Sequence, residues 1–384
     1  MASQGSSATR STRIPLLVGG LMGPFGTGIL TPMIPELRGH FDSTTTALAW
    51  GFTLYLVPFA VLMTVSGSLS ERWGRQRTAR ITFTAYGAVT LLTVLAPNLL
   101  VFCLARAVAG SLNAFFTPIL LAALADITPP DRLGAAVGAY SSFQSLGALL
   151  APLVGGLAAD VDWRLAFVVV AVVSFAMATV PVPGDADRLT QLRLRPLLAR
   201  PTMLLAGASF AAALGPLGVA VVVGLMARDG LGLSGSVAGM LLLAGPAGAT
   251  AAGRPWGHVL DRIGGRRAGV TALLVAAGLV AVMAGARTAL LLTVTWFLAG
   301  CGTNLVVVSI QSLASGVQTT HRAGVISFVL AHRFLGQAVG AVVWMPVFGM
   351  SAAAAFLGSA GVGLLAVVLV VASGLGRRAG SQHR

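Results

Sequence analysis

Gly67-Ser68-Leu69-Ser70-Glu71-Arg72-Trp73-Gly74-Arg75-Gln76-Arg77 returns 190 residues later as Gly257-His258-Val259-Leu260-Asp261-Arg262-Ile263-Gly264-Gly265-Arg266-Arg267. Gly67 falls on Gly257, Glu71 on Asp261, Arg72 on Arg262, Gly74 on Gly264 and Arg77 on Arg267. The same offset pairs Gly110 with Gly300, Arg132 with Arg322 and Gly134 with Gly324. It is close to half of the 384 residues, so one unit is expected twice in parallel orientation.

The sequence around these loops is apolar. Hydrophobic residues make up 56% and charged residues 9%, too little charge to cover a water-soluble surface. Runs such as Ile14–Leu30, Leu99–Ala125 and Leu357–Gly374 approach or exceed the roughly 20 residues that cross a bilayer as helix. The 48 glycines and 18 prolines fit membrane helices, where both are more frequent than in soluble ones. The chain is therefore expected to be an all-α membrane protein. Twelve transmembrane helices are expected near 14–35, 47–69, 79–96, 99–125, 133–159, 164–182, 201–227, 235–258, 268–286, 289–316, 323–349 and 352–374. The domains expected are a six-helix half over 1–182, a cytoplasmic linker over 183–200 and a second half over 201–384.

Charge orients the spans. Every basic residue is arginine, and the 25 arginines punctuate the apolar runs rather than forming a phosphate-binding patch, which argues against nucleic acid as a partner. Four of them (Arg38, Arg164, Arg228 and Arg287) fall on the outer side and three (Arg106, Arg254 and Arg333) inside spans. The other 18 fall on one face, as cytoplasmic loops require. Both termini are thereby expected in the cytoplasm and the protein in the inner membrane, with the lipid bilayer as its surroundings and a monomer as its state. The Ile14 run is too long for the apolar region of a signal peptide and reads as the first span. Cys103 and Cys301 lie in apolar runs and read as small packing residues.

The Gly67–Arg77 loop resembles the signature of the major facilitator superfamily between its second and third helices, and Gly257–Arg267 resembles the weaker echo between helices eight and nine. Glu71 stands where that signature usually has aspartate. The resemblance implies two six-helix halves that alternate access to a central site. It also implies a cytoplasmic gate built from Gly67, Glu71, Arg72, Gly74, Arg75, Arg77, Asp126, Asp261 and Arg262, with Gly67 and Gly74 expected to let helix ends approach closely. A second stretch, Gly138, Gly147, Ala151-Pro152 and Gly155-Gly156, is similar to the fifth-helix signature of the drug–proton antiporter branch and implies a hinge there. Ala151 replaces the glycine usual before that proline. The repeat places Ala341 and Val342 opposite Ala151 and Pro152, so duplication alone does not demand the proline. Arg106-Ala107-Val108-Ala109-Gly110 matches a third signature in part, with Ala109 in place of glutamine.

Polar residues inside apolar runs are candidates for substrate binding or coupling. Arg106, Gly110, Asn113 and Thr117 share one helix face, as do Arg333, Gln337, Gly340 and Trp344, and the second face is expected to look into a cavity. Arg106 could instead snorkel to the outer headgroups. His332 can titrate near neutral pH and is a candidate proton carrier, or it is simply hydrogen-bonded to a neighbouring helix. Gln144, Asn304 and Gln311 are further polar candidates. No aspartate or glutamate falls within an expected span. Arg254, close to the cytoplasmic end of its span, is expected to snorkel, and Arg106 and Arg333 favour a neutral or anionic substrate over a lipophilic cation.

No nucleophile constellation, metal-ligand motif or phosphate-binding loop is visible, so no enzyme activity, cofactor or metal is expected. A secondary transporter is expected, with a small-molecule substrate and protons as partners. The first reading is an exporter of a drug or amphipathic metabolite that confers multidrug resistance. The alternative is an uptake permease for a metabolite such as an organic anion.

Overall fold

In a computed structural model, the structure describes residues 13–129, 132–183, 198–317 and 322–375, and these residues are helical throughout apart from turns and short connections. Residues 184–197 of the expected linker lie outside the described residues, as do 1–12 and 376–384. Among the described residues, eight helical stretches are long and apolar enough to cross a membrane, from Arg13–His40 to Ala352–Ala372. Arg164–Ala178 and Gly235–Ala251 are shorter apolar helices. Helix also covers Arg75–Val94, whose first turns carry Arg75, Arg77 and Arg80, and Arg200–Leu214.

Five expected spans are interrupted, among them 14–35, which holds Met22–Gly28, a short Thr31–Met33 turn and the start of Ile34–His40, and at two of the others a proline accounts for the break. The 99–125 stretch divides into Leu99–Asn113 and Phe116–Asp126. Pro118 has no N–H to donate to the carbonyl of Ala114 four residues back, and that carbonyl accepts from Ser66 Oγ at 2.7 Å instead. A freed backbone group in the bilayer needs such a side-chain partner. The 201–227 stretch breaks at Gly215-Pro216, where the carbonyl of Ala212 accepts from Leu217 N at 2.9 Å. The 47–69 stretch becomes Thr45–Met63 and Ser66–Trp73, and 235–258 becomes Gly235–Ala251 and Gly253–Ile263.

Two compact units are formed, one of Met1–Ser43 with Leu54–Gln191 and the other of Thr44–Thr53 with Leu192–Arg384. In the first, Arg75–Val94 packs on Arg164–Ala178 and Leu99–Asn113, while Met22–Gly28 packs on Leu133–Val161. In the second, Gly265–Met283 packs on Ala352–Ala372 and Ala289–Ser315, while Arg200–Leu214 packs on Arg322–Met350. Large apolar side chains such as Leu100, Leu165, Leu290 and Val368 remain exposed, the composition of a surface that meets lipid.

Candidate functional site

Arg75 opens the Arg75–Val94 helix directly after Gly74, whose φ of +85° is a conformation that only glycine adopts without strain. An added Cβ at Gly74 would meet nothing, so backbone conformation, rather than the expected close approach, is what requires glycine there. Gly67 likewise leaves room, a Cβ there meeting Pro118 at an ordinary 3.6 Å. The turn delivers Arg75 into the interior, where it is 6% exposed. Its Nη2 donates to Glu71 Oε1 at 2.6 Å, its Nη1 to Asp126 Oδ2, and Nη1 also to the carbonyl of Pro183 at 3.2 Å. Burial disfavours the charge of Arg75. The hydrogen bonds to Glu71 and Asp126 outweigh that effect and raise its pKa above the ordinary arginine value. One guanidinium thus ties together the end of one helix, the start of the next and the end of the Phe116–Asp126 helix. Arg72, Arg77 and Arg262 are exposed, and the side chain of Asp261 lies outside the described residues.

Arg106 neither snorkels nor faces an open cavity: it is 2% exposed inside the first unit. Its Nη2 donates to the Gly26 carbonyl at 2.7 Å, and its guanidinium carbon sits 4.0 Å above the Tyr55 ring. Gly26 lies in the last turn of the Met22–Gly28 helix, where carbonyls lack intrahelical donors. Asn113 Nδ2 donates to the Gly23 carbonyl at 2.9 Å and to the Tyr55 hydroxyl, which lies 3.3 Å from that of Tyr86. The sequence reading missed Tyr55 and Tyr86. A signal was available, because the chain has three tyrosines and each falls inside an expected span of the first half; all three prove to be buried.

The hinge candidates divide. At Gly147 a Cβ would stand 2.4 Å from the Leu21 carbonyl, and at Gly155 2.2 Å from that of Ile29, so both positions hold two backbones in contact. Gly138 has nothing within 4 Å. Pro152 and Gly156 are buried in the Leu133–Val161 helix. Ala151 fits because its neighbour is Gly28, where a Cβ would come within 2.7 Å of the Ala151 methyl. Gln144 Nε2 donates to Thr117 Oγ1 at 3.2 Å on the same side of the unit.

In the second unit the expected cavity face is mostly filled. Gly340 and Trp344 are buried, and Trp344 Nε1 donates to the Leu214 carbonyl at 2.6 Å. Arg333 does line a small cavity, together with Ser209 and Gln311. Gln337 is half-buried, and Asn304 Nδ2 donates to the Ala249 carbonyl at 2.7 Å. His332 Nδ1 donates to the carbonyl of Phe328, one turn back on its own helix, at 2.8 Å.

Residues 16–213 match the family described as the Major Facilitator Superfamily, just over half of the chain, and the protein belongs to that family. It is 26% identical over 178 residues to the MFS antiporter QDR3 of Candida albicans, covering 45% of this chain and 26% of that protein. It is 30% identical over 149 residues to the multidrug resistance protein B homolog of Mycobacterium tuberculosis, covering 38% of this chain and 28% of that one. The chain thus spans between a quarter and a third of the length of these two relatives. Among solved structures, the nucleoside transporter NupG superposes with a TM-score of 0.78 at 12% identity, over 94% of this chain and 99% of that one, which establishes the fold.

Proposed function

We propose that this protein is a twelve-span secondary active transporter that exports a small amphipathic compound across the cytoplasmic membrane by alternating access, coupled to proton influx. In this reading residues 1–182 and 201–384 are six-helix repeats, the 183–200 linker and both termini are cytoplasmic, and the protein works as a monomer. The observation that carries it is the Arg75 clasp on Glu71 and Asp126. It joins helix ends through side chains alone, so a modest movement of either helix breaks it. Such a contact suits a gate that holds in one state and opens in the other. The backbone contacts at Gly147 and Gly155 support a fifth span that bears closely on the first and bends at Pro152.

Positions 190 residues apart support the duplication. Gly74 and Gly264 share positive φ values of 85° and 77°. Asn98 and Thr288 each cap a helix by accepting from the backbone N–H three residues on. At Gly110 and Gly300 an added Cβ would stand 2.0 Å from the carbonyls of Tyr55 and Gly245, themselves 190 apart. Export is favoured by the drug-resistance names of the relatives. Uptake of an organic anion is the second reading, favoured by the lack of any acidic residue after Asp261.

Reconstitution into liposomes with an imposed proton gradient tests the proposal. Amphipathic compounds are expected to move against their own gradient when protons flow inward, and to stop when an uncoupler is added. Movement that ignores the proton gradient would remove the coupling. Accumulation in the opposite direction would establish the uptake reading.

A further inference from the structure

The two intramembrane arginines differ in what they touch. Arg106 is satisfied inside the first unit by the Gly26 carbonyl and the Tyr55 ring. Arg333 lies roughly 17 Å along the Arg322–Met350 helix, at 1.5 Å per residue. Its Nε is enclosed and makes no hydrogen bond, and its guanidinium carbon lies 4.9 Å from the ring of the adjacent Phe334. No carboxylate is available from its own helix or from the helices after it, because the sequence has no acidic residue beyond Asp261. The adjoining cavity, about 10 Å³, is lined by apolar residues such as Ile310 and Val329 and by two hydrogen-bonding side chains, Ser209 and Gln311. That volume holds about one water or the oxygens of one small polar group, and not a whole drug.

An arginine keeps its charge in such a place, so the desolvation it suffers favours any anion that can reach it. The guanidinium presents a planar fork, which matches the two oxygens of a carboxylate or sulfonate. The Gln311 amide and Ser209 hydroxyl can add neutral donors at the same spot, so that the positive guanidinium alone sets the preference for an anion.

We propose that Arg333, Gln311 and Ser209 form an anion subsite that takes the carboxylate or sulfonate head of the transported compound, whose apolar body lies outside the small cavity. The substrate class is then an amphipathic organic anion. The assignment rests on the transporter reading, but the subsite can be tested without transport.

The probes are dansyl-phenylalanine, which has a free carboxylate, and its neutral carboxamide. Binding of each to the full chain is read by energy transfer from tryptophan in nanodiscs of phosphatidylcholine, with and without phosphatidylglycerol. The carboxylate is expected to bind roughly tenfold more tightly than the amide, the scale of one charge-assisted hydrogen bond. Arg333→Ala should bring the two affinities together. Arg333→Lys, which keeps the charge and loses the fork, should restore part of the difference, and Gln311→Ala should reduce it. Equal binding of the two probes by the wild type, or a preference that survives Arg333→Ala, overturns the proposal. Loss of the preference on adding phosphatidylglycerol assigns the site to a lipid phosphate and also overturns it. An exporter that binds both probes alike keeps the transport reading and loses the subsite, whereas anion selectivity without transport in liposomes does the reverse.

Discussion

The two units share backbone features and differ in chemistry at the same positions. Gly74 and Gly264 adopt the same left-handed conformation before a helix, but the next residue is Arg75 in one and Gly265 in the other. Asp126, which holds Arg75, corresponds to Gly316, so the second unit lacks both the cation and one of the carboxylates at these positions. Arg106 corresponds to Trp296, whose Nε1 donates to the Leu242 carbonyl at 3.1 Å. Arg333 in turn corresponds to Phe143. The difference teaches where constraint lies in a membrane fold. At Gly74 and Gly264, where φ is positive, and at Gly110 and Gly300, where two backbones touch, both units keep glycine, whereas Gly147, which faces the Leu21 carbonyl, corresponds to Gln337, and Gly232, at positive φ, corresponds to Asp42. Where a side chain projects into the interior, any group that satisfies its polar neighbours will do.

The strongest way to break the comparison is at the touching backbones. Gly110→Ala and Gly300→Ala should each cost roughly 1–3 kcal/mol or more, because a Cβ has no room and the opposing atoms are backbone. Thermal unfolding in detergent checks this, and tolerance of one change but not the other would break the equivalence. Next comes the clasp. Arg75→Ala should lower stability by about 1–3 kcal/mol and sharply reduce the transport expected in liposomes, since two carboxylates lose their cation. Gly265→Ala should be nearly silent, its new Cβ meeting Leu313 at an ordinary 3.4 Å.

The clasp also makes a statement about pH. The folded pKa of Arg75 is raised, so its contribution is complete below the unfolded value and lost only as pH rises through the folded one. The stability difference between wild type and Arg75→Ala should therefore be flat over about pH 7 to 9, as melting curves would report. A difference that shrinks within that range would mean that Arg75 is not the group that titrates.

The smallest expected effect sharpens the comparison instead. Asn98→Ala and Thr288→Ala each remove one helix cap and should cost about 1 kcal/mol apiece, with little consequence for transport. Unequal losses would show that the two loops are held by different contacts.

Periodicity, composition and the arginine pattern were enough to read an all-helical membrane protein. The loop motif with its repeat led to the family, because span length, charge placement and glycine at positive φ are written locally. Glu71 and Arg75 could be grouped from the sequence because they lie in one loop motif, and Asp126 because it stands at the cytoplasmic end of the 99–125 stretch. Arg106 and Arg333 could not be told apart, as both read as an arginine in an apolar run. Only tertiary structure separated them, since the Gly26 carbonyl that satisfies Arg106 lies 80 residues away along the chain. The reason for each glycine was likewise hidden. Gly67, Gly74 and Gly147 are the same letter, yet one has room, one needs its φ and one faces a carbonyl at 2.4 Å. Which helix ends where was decided by pairs such as Pro118 and Ser66, because a freed carbonyl must find whatever donor the fold brings to it.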